Sequence, residues 1–145
     1  PLWNHKVTTA NYTVYNSSVS PTMNATVGQP SSSSKLCMSC HDGTVALDSF
    51  AGAIGTHNIT GTALLGTDLA NDHPISFTYD TALATADTQL ESPFSASKVD
   101  AAGTVPLFNG KVECATCHQP HSNDIPPFMR RGNGNSALCL VCHKK

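Results

Sequence analysis

Charged and aromatic residues are scarce in this chain of 145 residues, at 12% and 6% of the sequence. With so few aromatic side chains, a core built from amino acids alone would be thin. Long apolar runs are missing as well, and without a stretch of about 18 apolar residues no segment is predicted to span a membrane. The length predicts one domain over residues 1–145, and such a domain needs apolar mass from another source.

Six cysteines are present, and none is left for a disulfide because all belong to three copies of one pattern, Cys-x-x-Cys-His. Two thiols at this spacing reach the two vinyl groups on one edge of a porphyrin, and the next residue offers an imidazole to the iron. We therefore predict three covalent c-type haems, which would supply the missing apolar mass. Their predicted attachment residues are Cys37, Cys40, Cys114, Cys117, Cys139 and Cys142, and the proximal iron ligands are His41, His118 and His143.

Two other uses of paired cysteines are known. A zinc ribbon needs four ligands that converge on one point, but it does not need a histidine directly after the second cysteine of every pair. A thioredoxin-like redox pair needs a βαβ context, which this sequence does not show. The repeated histidine favours haem over both alternatives.

The irons need more histidines than the motifs supply, because a six-coordinate haem iron takes a ligand on each face of the ring. Seven histidines minus the three in the motifs leave four candidates for three distal places. His121 follows His118 too closely to reach the opposite face of the same ring, so it is predicted to bind a second haem. The order of preference is His121, His73, His5 and then His57.

Three of these candidates differ in their surroundings. A proline follows His73 and holds it in extended backbone beside apolar residues, as suits a distal ligand. His5 lies on an expected N-terminal arm, residues 1–35, which is free to reach away from the body. His57 directly precedes Asn58, a possible glycosylation acceptor, and is therefore the expected spare.

Methionine is the competing axial ligand. Met23 and Met129 are conceivable, whereas Met38 lies inside its own motif and cannot reach the far face of its own haem. Since enough imidazoles are available, bis-histidine ligation is predicted throughout. It keeps the redox potential low and leaves no open iron position for a substrate, so the chain is expected to transfer electrons and not to be an enzyme.

The expected fold is a multihaem cytochrome c, mostly irregular coil wrapped around three haems, since Gly, Pro, Ser, Thr and Asn fill the connecting segments. Short helices are predicted at the motifs, the first ending near Gly43. The last is predicted over 137–143, with Ser136 as its cap. A separate helix is expected over 81–87, with Asp80 as its N-cap.

Extended structure is expected at two places. Asn109 and Gly110, between short apolar runs, predict a tight β-hairpin. The alternation over 11–15 predicts a short strand or an extended arm. The four serines at 31–34 are interpreted as a flexible linker, with O-linked sugar as the alternative, and residues 49–67 are expected to form a loop.

The chain begins at Pro1, which suggests a mature form whose signal peptide has been removed. Covalent haem attachment takes place outside the bacterial cytoplasm, so an extracellular or cell-surface location is expected, with the periplasm as the alternative. Six propionates and three oxidised irons would change the formal net charge from −2 to roughly −5, which disfavours nucleic acid as a partner. Possible glycosylation sequons begin at Asn11, Asn16, Asn24 and Asn58.

Several blocks of the sequence resemble the multihaem cytochromes with doubled Cys-x-x-Cys-His motifs. They are Trp3-Asn4-His5, the first motif with its continuation to Val45, residues 71–77 around His73, Cys117-His118-Gln119-Pro120-His121, and the last motif. Some members of this group polymerise into extracellular filaments with continuously stacked haems, in which a histidine of one subunit can bind the iron of its neighbour. The resemblance nominates His5 for that role. Its doubled pattern implies an even number of haems, and an odd count would be natural if the row is completed between subunits.

Two functions follow from these expectations. The first is a conduit that associates head to tail outside the cell and passes electrons to minerals, electrodes or other redox proteins. The second is a monomeric periplasmic carrier similar in purpose to cytochromes c3. A soluble carrier usually presents a charged docking patch, and the eight Lys and Arg residues are scattered here, which favours the conduit.

Overall fold

A computed structural model describes residues 4–144 of the chain. Pro1 and Trp3, on which the processed N-terminus and one block of the resemblance rest, lie outside the described residues. Regular structure is sparse within the described range, where the longest helix has ten residues and each strand has two. These few helices and small sheets agree with the expected fold class. None of the helices described is both long and apolar enough to cross a bilayer.

Two of the three α-helices carry haem-attachment cysteines. The helices are α1 (Ser32–His41), α2 (Thr81–Ala86) and α3 (Cys114–Cys117). Helix α1 ends at His41 with Asp42 as its C-cap, and Gly43 follows with φ +73°, a left-handed conformation that glycine adopts without strain. Asp80 accepts a hydrogen bond from the backbone N–H of Leu83 at 2.8 Å, which confirms the predicted N-cap and helix.

The strands form two separate pairs. The first pair is parallel and joins β1 (Thr13–Val14) to β2 (Asp68–Leu69). Its first strand lies within the alternating run 11–15, so the predicted short strand is confirmed. The second pair is antiparallel and joins β3 (Phe77–Thr78) to β4 (Lys111–Val112), which leads directly into α3.

Asn109 and Gly110 form the predicted tight turn. Both have positive φ, 54° and 72°, a combination typical of a type I′ hairpin turn. Phe108 and Lys111 exchange two backbone hydrogen bonds across it, of 3.0 and 3.1 Å. Beyond that pair the two sides of the turn move apart, because β4 pairs with β3 and not with the residues before the turn. The turn therefore leads the chain into β4 beside β3, and the second attachment motif follows β4 directly.

The side-chain core consists of two small clusters, each beside an attachment motif. The smaller lies under α1 and contains Tyr12, Met38 and Leu69. The larger has Leu138, Val141 and Cys142 of the last motif packed against it, and its buried members are Phe77, Tyr79, Ala84, Leu90, Val99, Val105, Leu107 and Val112. The thin core that the composition predicts is therefore divided between the surroundings of the first motif and those of the last.

The predicted helix over 137–143 is wrong. This stretch and its approach contain two 3₁₀ turns, Gly134–Ser136 and Cys139–Val141. Ser136 cannot be the N-cap, because its φ is +60°, in the left-handed region. The backbone N–H of Leu138 is satisfied instead by Asn133, whose Oδ1 accepts at 3.2 Å.

The interpretation of the serine run as a flexible linker is also wrong. Helix α1 begins at Ser32, so most of the run forms its first turn. Ser34 is fully buried, and its hydroxyl donates to one carboxylate oxygen of Glu113. Ser31 donates to the other oxygen at 2.9 Å. These partners lie far along the chain, and local composition does not reveal them.

Candidate haem-attachment site

The three attachment motifs lie next to one another in the order in which they occur along the chain. Helices α1 and α3 pack together, and the thiols of Cys37 and Cys114 are hydrogen-bonded. On the other side, burial and then the charges of Cys114 and Cys139 raise the pKa of Cys117. The second motif therefore contacts the first through one cysteine and approaches the third through the other.

The contact between the first two motifs makes their thiols unequal. The hydrogen bond donated by Cys37 lowers the pKa of Cys114 to about 7, against an ordinary value of 9.0. The same hydrogen bond, together with burial, raises the pKa of Cys37. Of the two free thiols, Cys114 therefore loses its proton more readily, and the thiolate is the nucleophilic form of a cysteine.

Helix α3 is too short to hold its position alone, and Glu113 anchors it. This residue is the N-cap, and a capping box joins its side chain and backbone to those of Thr116. The same carboxylate accepts hydrogen bonds from the hydroxyls of Ser31, Ser34 and Ser76, the last at 2.8 Å. A single buried side chain thus connects the first motif's helix, the second motif's helix and the approach to β3.

His41 and His118, two of the predicted proximal ligands, each make the hydrogen bond that metal-bound imidazoles usually make. His41 donates from Nδ1 to the carbonyl of Ala63 at 2.8 Å, and His118 donates from Nδ1 to the carbonyl of Pro127 at 3.2 Å. A proton on Nδ1 leaves the lone pair on Nε2 for a metal and fixes the ring orientation. Both rings therefore fit the predicted role.

An apolar cavity of about 250 Å³ lies beside the second motif. Cys114, Cys117 and His118 border it, and His73 lies on its wall. Apolar walls of this kind suit the face of a porphyrin, which gains from leaving water. They are formed by Val14, Tyr15, Val27, Pro30, Met38, Leu65, Leu69, Ile75 and Val112.

His73 lies between the second and third motifs. Its ring centroid is 6.5 Å from that of His143, with an angle of 79° between the ring planes. Its Nδ1 donates to the carbonyl of Pro74 at 2.9 Å, which again leaves Nε2 for a metal. The extended conformation predicted before the proline thus places this imidazole among the attachment motifs.

His5 does not reach away from the body. It is buried, its Nε2 donates to the carbonyl of Ala46 at 3.1 Å, and its ring packs edge-on against Phe50. The same Nε2 lies 3.8 Å from the sulfur of Cys40. Its Nδ1 is buried and has no hydrogen-bond partner among the described residues. The ring thus lies next to Cys40 and keeps an unpaired nitrogen, Nδ1, which makes His5 a candidate ligand of the first motif's iron.

His57, the expected spare, lies at the surface, whereas His5 is buried. Its side chain is 82% exposed, and Nδ1 donates to Oδ2 of Asp48 at 2.9 Å. Oδ1 of the same carboxylate accepts from the backbone N–H groups of Thr56 and His57, so the loop presents the ring in one position. The hydrogen bonds from His57 lower the pKa of Asp48 to about 2. His121 is also exposed.

Between residues 4 and 144, no group of three or more His, Cys, Asp or Glu side chains is arranged to hold a metal ion. All six cysteines are free of disulfides, as the attachment of haem requires. Arg130 donates from Nε to the carbonyl of Ala115, within the second motif, at 2.7 Å.

A second buried carboxylate, Asp42, fixes the segment before the first motif to the end of α1. It accepts from the hydroxyls of Thr8 at 2.7 Å and Tyr12 at 2.5 Å, and from both the backbone and the hydroxyl of Thr44. Burial alone would raise the pKa of Asp42, but these hydrogen bonds outweigh it and the pKa is lowered. Burial and the bond to Asp42 raise the pKa of Tyr12 to about 12.

Replacing Tyr12 with phenylalanine is expected to weaken the fold at neutral pH and to make it unfold at a higher pH on acidification. A carboxylate whose pKa is lower when folded contributes stability that is present above its unfolded value of 3.8 and disappears as the pH falls through the folded value. Losing one bond to this charge should cost about 1.5–3 kcal/mol at neutral pH and move acid unfolding to higher pH. An acid titration followed by circular dichroism measures both, with Tyr15→Phe as the control.

Glu113 and Asp42 are the important residues that the sequence analysis missed. A weak signal was available for each, since charged residues are scarce and these two directly flank attachment motifs. A further signal for Glu113 is Thr116 at the third helical position, which completes the capping box. The sequence could not reveal the serine and tyrosine partners, because they are distant along the chain.

Comparison with protein families finds one match. Residues 106–145 match the family described as the doubled CXXCH motif. The matched segment contains the second and third attachment motifs, and the first lies outside it. The match supports a multihaem c-type cytochrome and indicates covalently bound haem c, the chemistry of which is electron transfer. A comparison with curated proteins finds no match.

Proposed function

We propose that this multihaem c-type cytochrome carries three haems in a row and passes electrons along them. The observation that carries this proposal is the position of the central motif, which contacts the first motif through Cys114 and approaches the third through Cys117. Haems attached to neighbouring cysteines lie close together, and electron transfer between redox centres is fast only over short distances. Each haem supplies a one-electron iron couple, and the chain's residues attach it and set its surroundings.

The chain is proposed not to be an enzyme. His5 beside Cys40 and His73 beside His143 offer imidazoles from within the chain. Bis-histidine ligation would leave no open iron position on the haems that they serve. The count of haems is tested first by intact mass: the purified protein should exceed its polypeptide mass by three haems, and an excess of two or fewer would contradict the proposal.

We further propose that copies of the chain associate head to tail outside the cell into a conduit. The support is His57, an exposed imidazole that a carboxylate orients and that leaves Nε2 for a metal. Of the candidates, it is better suited to bind a neighbouring subunit's iron than the buried His5, which the resemblance nominates. The acceptors of such a conduit are other redox proteins, minerals or electrodes.

The variant His57→Ala is expected to abolish polymers and to leave one haem high-spin. The matched variant His5→Ala should change the spectrum of one haem without loss of polymer, because His5 is buried within its own subunit. Negative-stain microscopy and absorption spectra measure the two outcomes. Isolated small particles of the unaltered protein at all concentrations would instead support the monomeric periplasmic carrier.

A further inference from the structure

We infer that His73 and His143 are the two axial ligands of one iron, that of the haem attached at Cys139 and Cys142. The inference rests on the proposed function, since it assumes that this haem is present. It assigns a distal ligand to a particular haem, which the sequence alone leaves open.

The distance between the two rings carries the assignment. Metal–nitrogen bonds of about 2 Å on opposite sides of one metal place the centroids of two imidazoles roughly 6 Å apart. The centroids of His73 and His143 are separated by 6.5 Å. A direct hydrogen bond between two imidazoles would bring their rings closer, whereas a simple edge-to-face ring contact also spans this distance, so the variants below distinguish a shared iron from ring packing.

Separate parts of the chain hold the two rings at this distance. Residues 89–91 fix the backbone of His143, because Leu90 is its β-bridge partner. Two backbone hydrogen bonds flank this bridge, from the Glu91 N–H to the carbonyl of Cys142 and from the Lys144 N–H to the carbonyl of Gln89. Residues after His73 are fixed by the bond from the Ser76 N–H to the carbonyl of Val112, at 2.7 Å. The spacing is therefore set by tertiary structure and not by proximity in sequence.

The hydrogen bond at His73 agrees with this role. Nδ1 donates to the carbonyl of Pro74, so Nε2 carries the lone pair. His73 also lies on the wall of the cavity beside His118, which makes the second haem its competing partner. The distance to His143 favours the third haem, and the experiment below separates the two.

The angle between the rings predicts a spectroscopic signature. The planes of His73 and His143 meet at 79°. Near-perpendicular axial imidazoles leave the iron d orbitals of a low-spin ferric haem almost degenerate, which produces an electron paramagnetic resonance signal with a large maximum g value. The oxidised protein should show this signal for one haem, and it should disappear when either ring of the pair is lost.

The test replaces His73 with alanine in the full-length holoprotein. Intact mass should still show all haems attached, one haem should become high-spin, the large-g signal should vanish, and added imidazole should restore a low-spin spectrum. Asn71→Ala, an exposed change two residues away, is the control and should leave every spectrum unchanged. If all haems of His73→Ala stay low-spin, the inference is wrong.

The same substitution, made in a variant that lacks the third haem, identifies which haem loses its ligand. In the variant Cys139→Ala/Cys142→Ala, which lacks the third haem, adding His73→Ala should create no high-spin haem. A new high-spin haem there would assign His73 to another iron and overturn the inference. Should that background not fold, a side-chain-resolution map of the unaltered protein decides the matter by showing which imidazoles flank the third iron. Missing haems in the unaltered protein would instead refute the proposed function.

Discussion

Replacing Glu113 with alanine is expected to lower the free energy of unfolding by about 3–5 kcal/mol, close to the stability of a whole small domain. The carboxylate is buried and accepts hydrogen bonds from three serine hydroxyls, and its removal leaves those hydroxyls without an acceptor. It also removes the capping box of a four-residue helix. Denaturant unfolding of the holoprotein, followed by circular dichroism, measures the loss.

Two further variants separate the causes of this loss. Glu113→Gln keeps the size of the side chain and one acceptor oxygen, so it should retain part of the stability. Glu91→Gln changes the charge of an exposed residue and should alter the free energy of unfolding by no more than about 0.5 kcal/mol. A Glu113→Ala variant as stable as Glu91→Gln would show that the serine–carboxylate cluster does not hold the two motifs together.

Removing the central haem is expected to separate the outer two electronically. Cys114→Ala/Cys117→Ala should lower the intact mass by one haem and slow electron transfer between the remaining haems by orders of magnitude, because tunnelling decays exponentially with distance. The charge on one iron should also cease to affect the potential of the other, since Coulomb interactions weaken with separation and with screening. Redox titration and transient absorption after photoreduction measure these two effects.

The matched control removes an outer haem. Cys139→Ala/Cys142→Ala also lacks one haem, but its two remaining motifs are the ones in contact through Cys37 and Cys114. Its haems should keep their mutual influence on potential and their rapid exchange of electrons. If the two variants behave alike, the motifs do not form a row with the second in the middle.

Local signals in the sequence predicted the local parts of this fold. The turn at Asn109 and Gly110 is set by two residues that tolerate positive φ, and α2 by a capping aspartate, so neither needs a distant partner. The end of α1 at Gly43 is predictable for the same reason. His73 was favoured because proline restricts the residue before it, which is another purely local effect.

Where tertiary contacts decide, the sequence misled. The serine run looks like a linker, but its hydrogen bonds to the carboxylate of Glu113 hold it at the start of α1. His5 looks free, but Phe50 and the carbonyl of Ala46 bury it. The last motif looks helical, yet left-handed residues at 135 and 136 keep it in tight turns. In each case the deciding partner or conformation has no signature in the residues themselves.

The contact between Cys37 and Cys114 constrains the order of events during biogenesis. Before any haem is attached, both residues are free thiols, and the fold brings the two together. An oxidising compartment would join them into a disulfide between motifs, which occupies one anchoring sulfur of each haem. Haem attachment therefore has to precede oxidation of this pair, since a sulfur held in a disulfide is not available to a porphyrin.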